Sequence, residues 1–178
     1  MMNSRGVTLI ETIVVIVLLA IMGLFTFQFV GSGVETYIIA ANQAGLLAEA
    51  KLAIERMARE IKDANIILVP ASGSSGSSMN FIRSHSTVVD SDTDITYQKS
   101  GGTLERKRGT NPPEPLAGNV SSFTVTNDSN EIKIVLTLSL AGGENVTVQT
   151  KAYPKNLPFA SKDFGGAHFN GDWQEVVQ

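Results

Sequence analysis

The chain predicts an α+β fold, in which one long N-terminal helix precedes an antiparallel β-sheet. Three features carry that expectation. Residues 12–34 hold no charge, apolar residues recur every three or four positions from Leu47 to Ile61, and strict alternation returns after Phe81, most cleanly from Ile132 to Leu140. A period of about 3.6 residues belongs to a helix and a period of about 2 to a strand.

Composition bounds the rest. The 178 residues suit one modest domain plus an anchor. A formal net charge of -3 at pH 7 gives no global reason for nucleic acid to be the main partner. There is no cysteine. Disulfides, thiolate metal sites and cysteine nucleophiles are therefore excluded, and an exported domain must be stable through its core alone.

The first element is the apolar run, solid Ile, Val and Leu from Ile13 to Leu19. At about 1.5 Å per residue, residues 12–34 can cross a hydrocarbon core of about 30 Å. Arg5 and the terminal amine precede the run and Glu35 follows it, which keeps the N-terminus cytoplasmic and exports the remainder. A cleaved secretory signal is one alternative, but the small-residue patches at Gly23 and at Gly31-Ser32-Gly33 give no clean cleavage signal. An uncleaved generic anchor is another. Neither explains Glu11, whose carboxylate costs about 2.5–3.5 kcal/mol at the centre of a membrane helix unless it finds a partner. Proteolysis between Gly6 and Val7 would supply one. The new chain would begin V-T-L-I-E, with a free ammonium at Val7 one helical turn from Glu11 or beside the Glu11 of a neighbouring identical helix.

R-G-V-T-L-I-E followed by an apolar run resembles the leader and N-terminal segment of type IV pilins and of type II secretion pseudopilins. The resemblance implies that a membrane prepilin peptidase cuts after Gly6 and methylates the amine of Val7, and that Glu11 serves assembly. The family's usual first mature residue is Phe, and this chain has Val7 instead.

After the span the chain keeps helical character. Leu47, Ala50, Ile54, Met57 and Ile61 form an apolar stripe, while Glu49, Lys51, Glu55, Arg56, Arg59, Glu60 and Lys62 lie off it and read as a solvated face. Gly23, Gly31 and Gly33 are the places where this helix could break, each weakening it by about 1 kcal/mol relative to Ala. The helix should end near residues 63–65, before the short apolar run 66–69 and Pro70. A-S-G-S-S-G-S-S, residues 71–78, reads as a flexible surface loop.

Strands follow. Phe81 and Ile82 begin one; Ile95 and Tyr97 alternate up to Ser100-Gly101-Gly102-Thr103, and Leu104 with Arg106 returns the chain. Phe123 and Val125, then residues 132–140, then Val146 and Val148 make a three-strand meander whose apolar face can receive the helix stripe. A long helix, half in the membrane and half packed on such a sheet, is also the pilin fold. The segment E-A-K-L-A-I-E-R-M-A-R-E-I-K-D-A at residues 49–64, with G-G-T-L-E-R and P-L-A-G-N-V-S-S-F further on, is similar to minor pilins of the MSHA type and to J-type pseudopilins.

Catalytic signatures are missing. No nucleophile elbow, P-loop or dinucleotide fingerprint occurs, and His85 and His168 lack ligand spacing. Neither an enzyme nor a cofactor is expected. Asp90, Asp92 and Asp94 begin like a calcium loop, but Ile95 stands where such a loop needs glycine and no glutamate closes it. Glu105-Arg106-Lys107-Arg108 is the one basic cluster; without interleaved aromatics it reads as a solvated hairpin end rather than a nucleic-acid site. Phe159, Phe164, Phe169 and Trp173 form either a tail over the sheet or a contact surface for a neighbouring subunit.

The expected organisation is a leader at residues 1–6, a membrane and filament-core helix at 7–34, an amphipathic helix at 35–65 and a sheet domain at 66–178. The expected role is a minor pilin or pseudopilin. Its partners would be other pilin subunits, prepilin peptidase, an inner-membrane assembly platform and the lipid bilayer. It would sit first in the inner membrane with the globular domain periplasmic, then in the pilus or pseudopilus. The rival readings are a periplasmic binding or sensing domain on an uncleaved anchor, and a secreted enzyme, which would need a released domain and a catalytic cluster the sequence does not show.

Overall fold

The computed structural model describes residues 8–86, 90–129 and 131–157. Its elements in chain order are α1 (Leu9–Lys62), β1 (Ala64–Val69), β2 (Ser74–Gly76), β3 (Ser78–Arg83), β4 (Asp94–Ser100), β5 (Thr103–Arg108), β6 (Glu114–Ala117), β7 (Val120–Asp128), β8 (Glu131–Ser139) and β9 (Asn145–Ala152). The predicted class, a long N-terminal helix followed by antiparallel strands, is the observed one. The chain divides into two compact units, Met1–Asn42 and Gln43–Gln178.

In the first unit the described residues from Leu9 on are helix, with apolar side chains exposed along its length. α1 passes Gly23, Gly31 and Gly33 without a break. The hydroxyls of Thr26, Ser32 and Thr36 each donate to the carbonyl four residues back, at 2.8, 3.1 and 2.8 Å. Such back-bonding lets a polar side chain sit in an apolar surround without a partner on another element.

The second unit holds the core. Leu46, Ala50, Ala53, Ile54, Met57 and Ile61 are buried on α1, so the stripe begins at Leu46 and not at Leu47, which faces solvent. Two sheets, rather than one, share a single buried core with it. A five-stranded sheet runs β1-β3-β4-β5-β6 and a four-stranded sheet runs β2-β7-β8-β9. The β4–β5 hairpin pairs Ser100 with Thr103 around Gly101-Gly102, and Gly101 takes φ 57°, a conformation glycine adopts without strain. The expected meander is the run β7-β8-β9, with Leu136 opposite both Phe123 and Val148. Alternation decides which side chains enter the core: Phe123, Val125, Ile132, Ile134, Leu136 and Leu138 are buried while Thr124 is exposed.

Residues 71–78 are not a loose loop. Ser74, Ser75 and Gly76 pair with Asn127, Thr126 and Val125 as an edge strand, and Ser75 Oγ lies 2.8 Å from Thr126 Oγ1. Asn127 Nδ2, buried, donates to the Pro70 carbonyl at 2.9 Å, while Gly73 N donates to the Asn127 carbonyl at 2.7 Å. Backbone pairing to β7 orders a composition that alone suggests disorder.

Candidate functional site

Gly6 and Val7, the expected processing residues, lie outside the described residues. Thr8 is the first residue described, and it caps α1. Its Oγ1 accepts from the Glu11 N–H at 3.4 Å, while its carbonyl accepts from the Thr12 N–H at 3.2 Å and from the Thr12 hydroxyl at 3.3 Å. The spacing Thr8-x-x-Glu11 is that of a capping box. Glu11 therefore stands in the first turn, where the positive end of the helix dipole favours a carboxylate. That help is about 0.3–1 kcal/mol. α1 is long and apolar enough to cross a membrane, and its most apolar stretch is not buried within the protein.

A second polar site lies where α1 meets the five-stranded sheet. Glu60 Oε2 accepts from the Tyr97 hydroxyl at 2.7 Å and from Arg106 Nε at 3.0 Å, and Glu60 Oε1 stands 3.5 Å from Arg56 Nε. Arg106 Nη2 also donates to Asp90 Oδ2 at 2.6 Å. Asp90 has two further arginines near it, Arg83 at 3.2 Å and Arg108 at 3.8 Å, and Arg108 in turn pairs with Glu114. Arg83 also donates to the backbone carbonyls of Asp90, at 3.3 Å, and of Asp92.

The site perturbs its titrating groups in a consistent pattern. Burial opposes ionisation of Asp90, yet the Arg106 hydrogen bond and the charges of Arg83, Arg106 and Arg108 win and hold its pKa below the ordinary carboxylate value. Burial, reinforced by the Glu60 carboxylate, drives the Tyr97 phenol well above its usual range. Arg106 stays charged despite its burial, because Asp90 and Glu60 both accept from it.

Two expectations change here. The basic cluster is not a solvated hairpin end: Arg106 is only 3% exposed, because alternation along β5 turns it inward beside Leu104. Glu49 and Glu60 do not belong to a solvated face either. Both are half-buried; Glu49 Oε1 accepts from the Gly118 N–H at 2.6 Å, and Glu60 bonds Tyr97 and Arg106 as above. Charge masked their position on the inner face, and their spacing of eleven residues, close to three turns, was the available signal.

The three aspartates singled out for calcium diverge. Asp90 faces the arginines, Asp92 Oδ2 accepts from Asn111 Nδ2 at 2.6 Å, and Asp94 Oδ1 accepts from Asn80 Nδ2 at 2.6 Å. Among the described residues no three His, Cys, Asp or Glu side chains are grouped to hold a metal ion. His85 is half-buried after β3, and His168 with the aromatic residues 159, 164, 169 and 173 lies outside the described residues.

Residues 1–27 match the family described as the prokaryotic N-terminal methylation motif. No curated protein and no solved structure matches the chain. The chain thus carries a type IV pilin-like N-terminal segment, which marks substrates of prepilin processing and structural subunits rather than catalysts.

Proposed function

We propose that this protein is a minor pilin or pseudopilin, a filament subunit that helps initiate a type IV pilus-like assembly or sits near its tip. Prepilin peptidase cuts between Gly6 and Val7 and methylates the new amine. Glu11 then pairs with that amine on a neighbouring subunit as the span leaves the bilayer for the filament core. The observation that carries this reading is Glu11 in the first turn of an uninterrupted, membrane-length helix, within the matched methylation motif.

Before assembly the subunit is anchored in the inner membrane with its N-terminus cytoplasmic and residues 43–178 periplasmic. Its partners are other pilin or pseudopilin subunits, the peptidase, the inner-membrane assembly platform and the lipid bilayer. Moving the span from lipid to neighbouring helices exchanges one apolar surround for another, so the charge pair and close packing decide the balance. The lack of cysteine favours a minor over a major subunit, because the major pilins this segment resembles often close a C-terminal loop with a disulfide. Replacing Glu11 by Ala should leave membrane insertion and cleavage intact while filament incorporation collapses. Wild-type incorporation of that variant would overturn the charge-pair account.

A further inference from the structure

Glu49 and Glu60 bracket the packed half of α1. Eleven residues is about 3.1 turns, so the two carboxylates share one face, about 16 Å apart along the axis. Between them that face is apolar, with Ala50, Ala53, Ile54 and Met57 buried. Glu49 bonds the backbone at Gly118, between β6 and β7; Glu60 bonds Tyr97 on β4 and Arg106 on β5. A ridge of apolar residues opposes a slide of one turn through shape alone, because each step exchanges one apolar side chain for another of different size. The carboxylates are not replaced. A shift of one turn in one direction brings Arg56 toward Arg106, setting like charges together; in the other it brings up residues 63–64, where the helix has ended. At the second point the arriving residues are Gly45 or Ala53, and neither can accept from the Gly118 N–H.

We infer that Glu49 and Glu60 form a two-point register lock, which carries axial load from α1 into the sheets. Beneath it, Asp90 and Arg83 back Arg106 from the far side, so the Glu60 anchor is braced by β3 as well. The lock's use in assembly, where the helix is the part that is moved, rests on the filament reading above; its mechanics do not.

Among the described residues the buried apolar ones all fall between Leu46 and Ala152, inside the unit Gln43–Gln178, which serves as the test molecule. The chain has no cysteine, which allows specific handles at Gln43→Cys, on α1, and Thr147→Cys, exposed on β9. Under constant force between these points, Glu49→Ala with Glu60→Ala should shorten the folded lifetime at least about tenfold more than a core variant of equal chemical stability, such as Ile134→Val tuned with denaturant. Glu49→Gln, which keeps an acceptor for Gly118, should retain the lifetime that Glu49→Ala loses. If the double variant does not fold, the Glu49→Ala and Glu49→Gln pair decides alone. Equal lifetimes for the double variant and its stability-matched control, or for Glu49→Ala and Glu49→Gln, would overturn the lock. Either result leaves the N-terminal processing of the chain untouched.

Discussion

Glu60 on α1 and Arg106 on β5 meet at 3.0 Å in a site where the arginine is 3% exposed, and Asp90 holds the other side of the same guanidinium at 2.6 Å. A buried cation between two carboxylates makes the helix–sheet junction sensitive to loss of any one member. Arg106→Ala should destabilise the domain by about 3–5 kcal/mol, the cost of leaving buried charges without their partner. Arg106→Met with Glu60→Leu should recover part of that loss, because it removes the carboxylate orphaned on α1 while Asp90 keeps Arg83 and Arg108. Urea unfolding of residues 43–178 measures both.

Asp90 gives the acid response its direction. Its folded pKa lies below the ordinary value, so its contribution is fully present above the unfolded aspartate pKa of about 3.9 and is lost as pH falls through the lower folded value. Stability should therefore drop below about pH 4, and Asp90→Asn should flatten that drop while lowering stability near neutrality. Melting curves between acid and neutral pH, wild type against variant, test the sign.

Tyr97 donates to Glu60 from a fully buried ring that stacks on Phe81, with ring centroids 6.2 Å apart. Tyr97→Phe keeps the stacking and removes the donor. A loss of about 1.5 kcal/mol is expected, at the low end for a bond to a charged acceptor, because Arg106 still satisfies Glu60. Phe81→Ala should cost more, about 3–5 kcal/mol, through the cavity it leaves.

Lys151 and Glu131 form a pair at 2.8 Å that looks as short as the buried ones. Glu131 is held below its ordinary pKa by Lys151 and Tyr153, yet the pair is open to solvent and salt. Lys151→Ala should leave the melting temperature unchanged within error, in contrast to Arg106→Ala.

Much of this was legible in the sequence, for reasons particular residues make plain. Period-two runs such as Ile132 to Leu138 place every second side chain in the core, so β4, β5, β7, β8 and β9 follow from alternation alone. The apolar span and the stripe to Ile61 give α1. What escaped was decided by partners distant in the chain. β2 exists because β7 offers it backbone hydrogen bonds, and Ser-Ser-Gly carries no mark of that. β6, with Pro115 inside it, has no alternating run to mark it and is a strand because β5 pairs with it. Arg106, Glu49 and Glu60 look like surface charges because local sequence reports charge, not whether a counter-charge waits across the interface. At the N-terminus the position was the reverse: the order Gly6, Val7, Thr8, Glu11 and an uncharged run is a local pattern, and it is the part the family comparison matches.

The central claim is that an amine created by proteolysis lies beside Glu11. The most direct test is the mass and terminal sequence of the full chain purified from membranes of cells expressing prepilin peptidase. The account predicts a mature chain that begins at Val7 and carries one added methyl group, with residues 1–6 removed. A chain that still begins at Met1, or one that begins beyond residue 34, would contradict it.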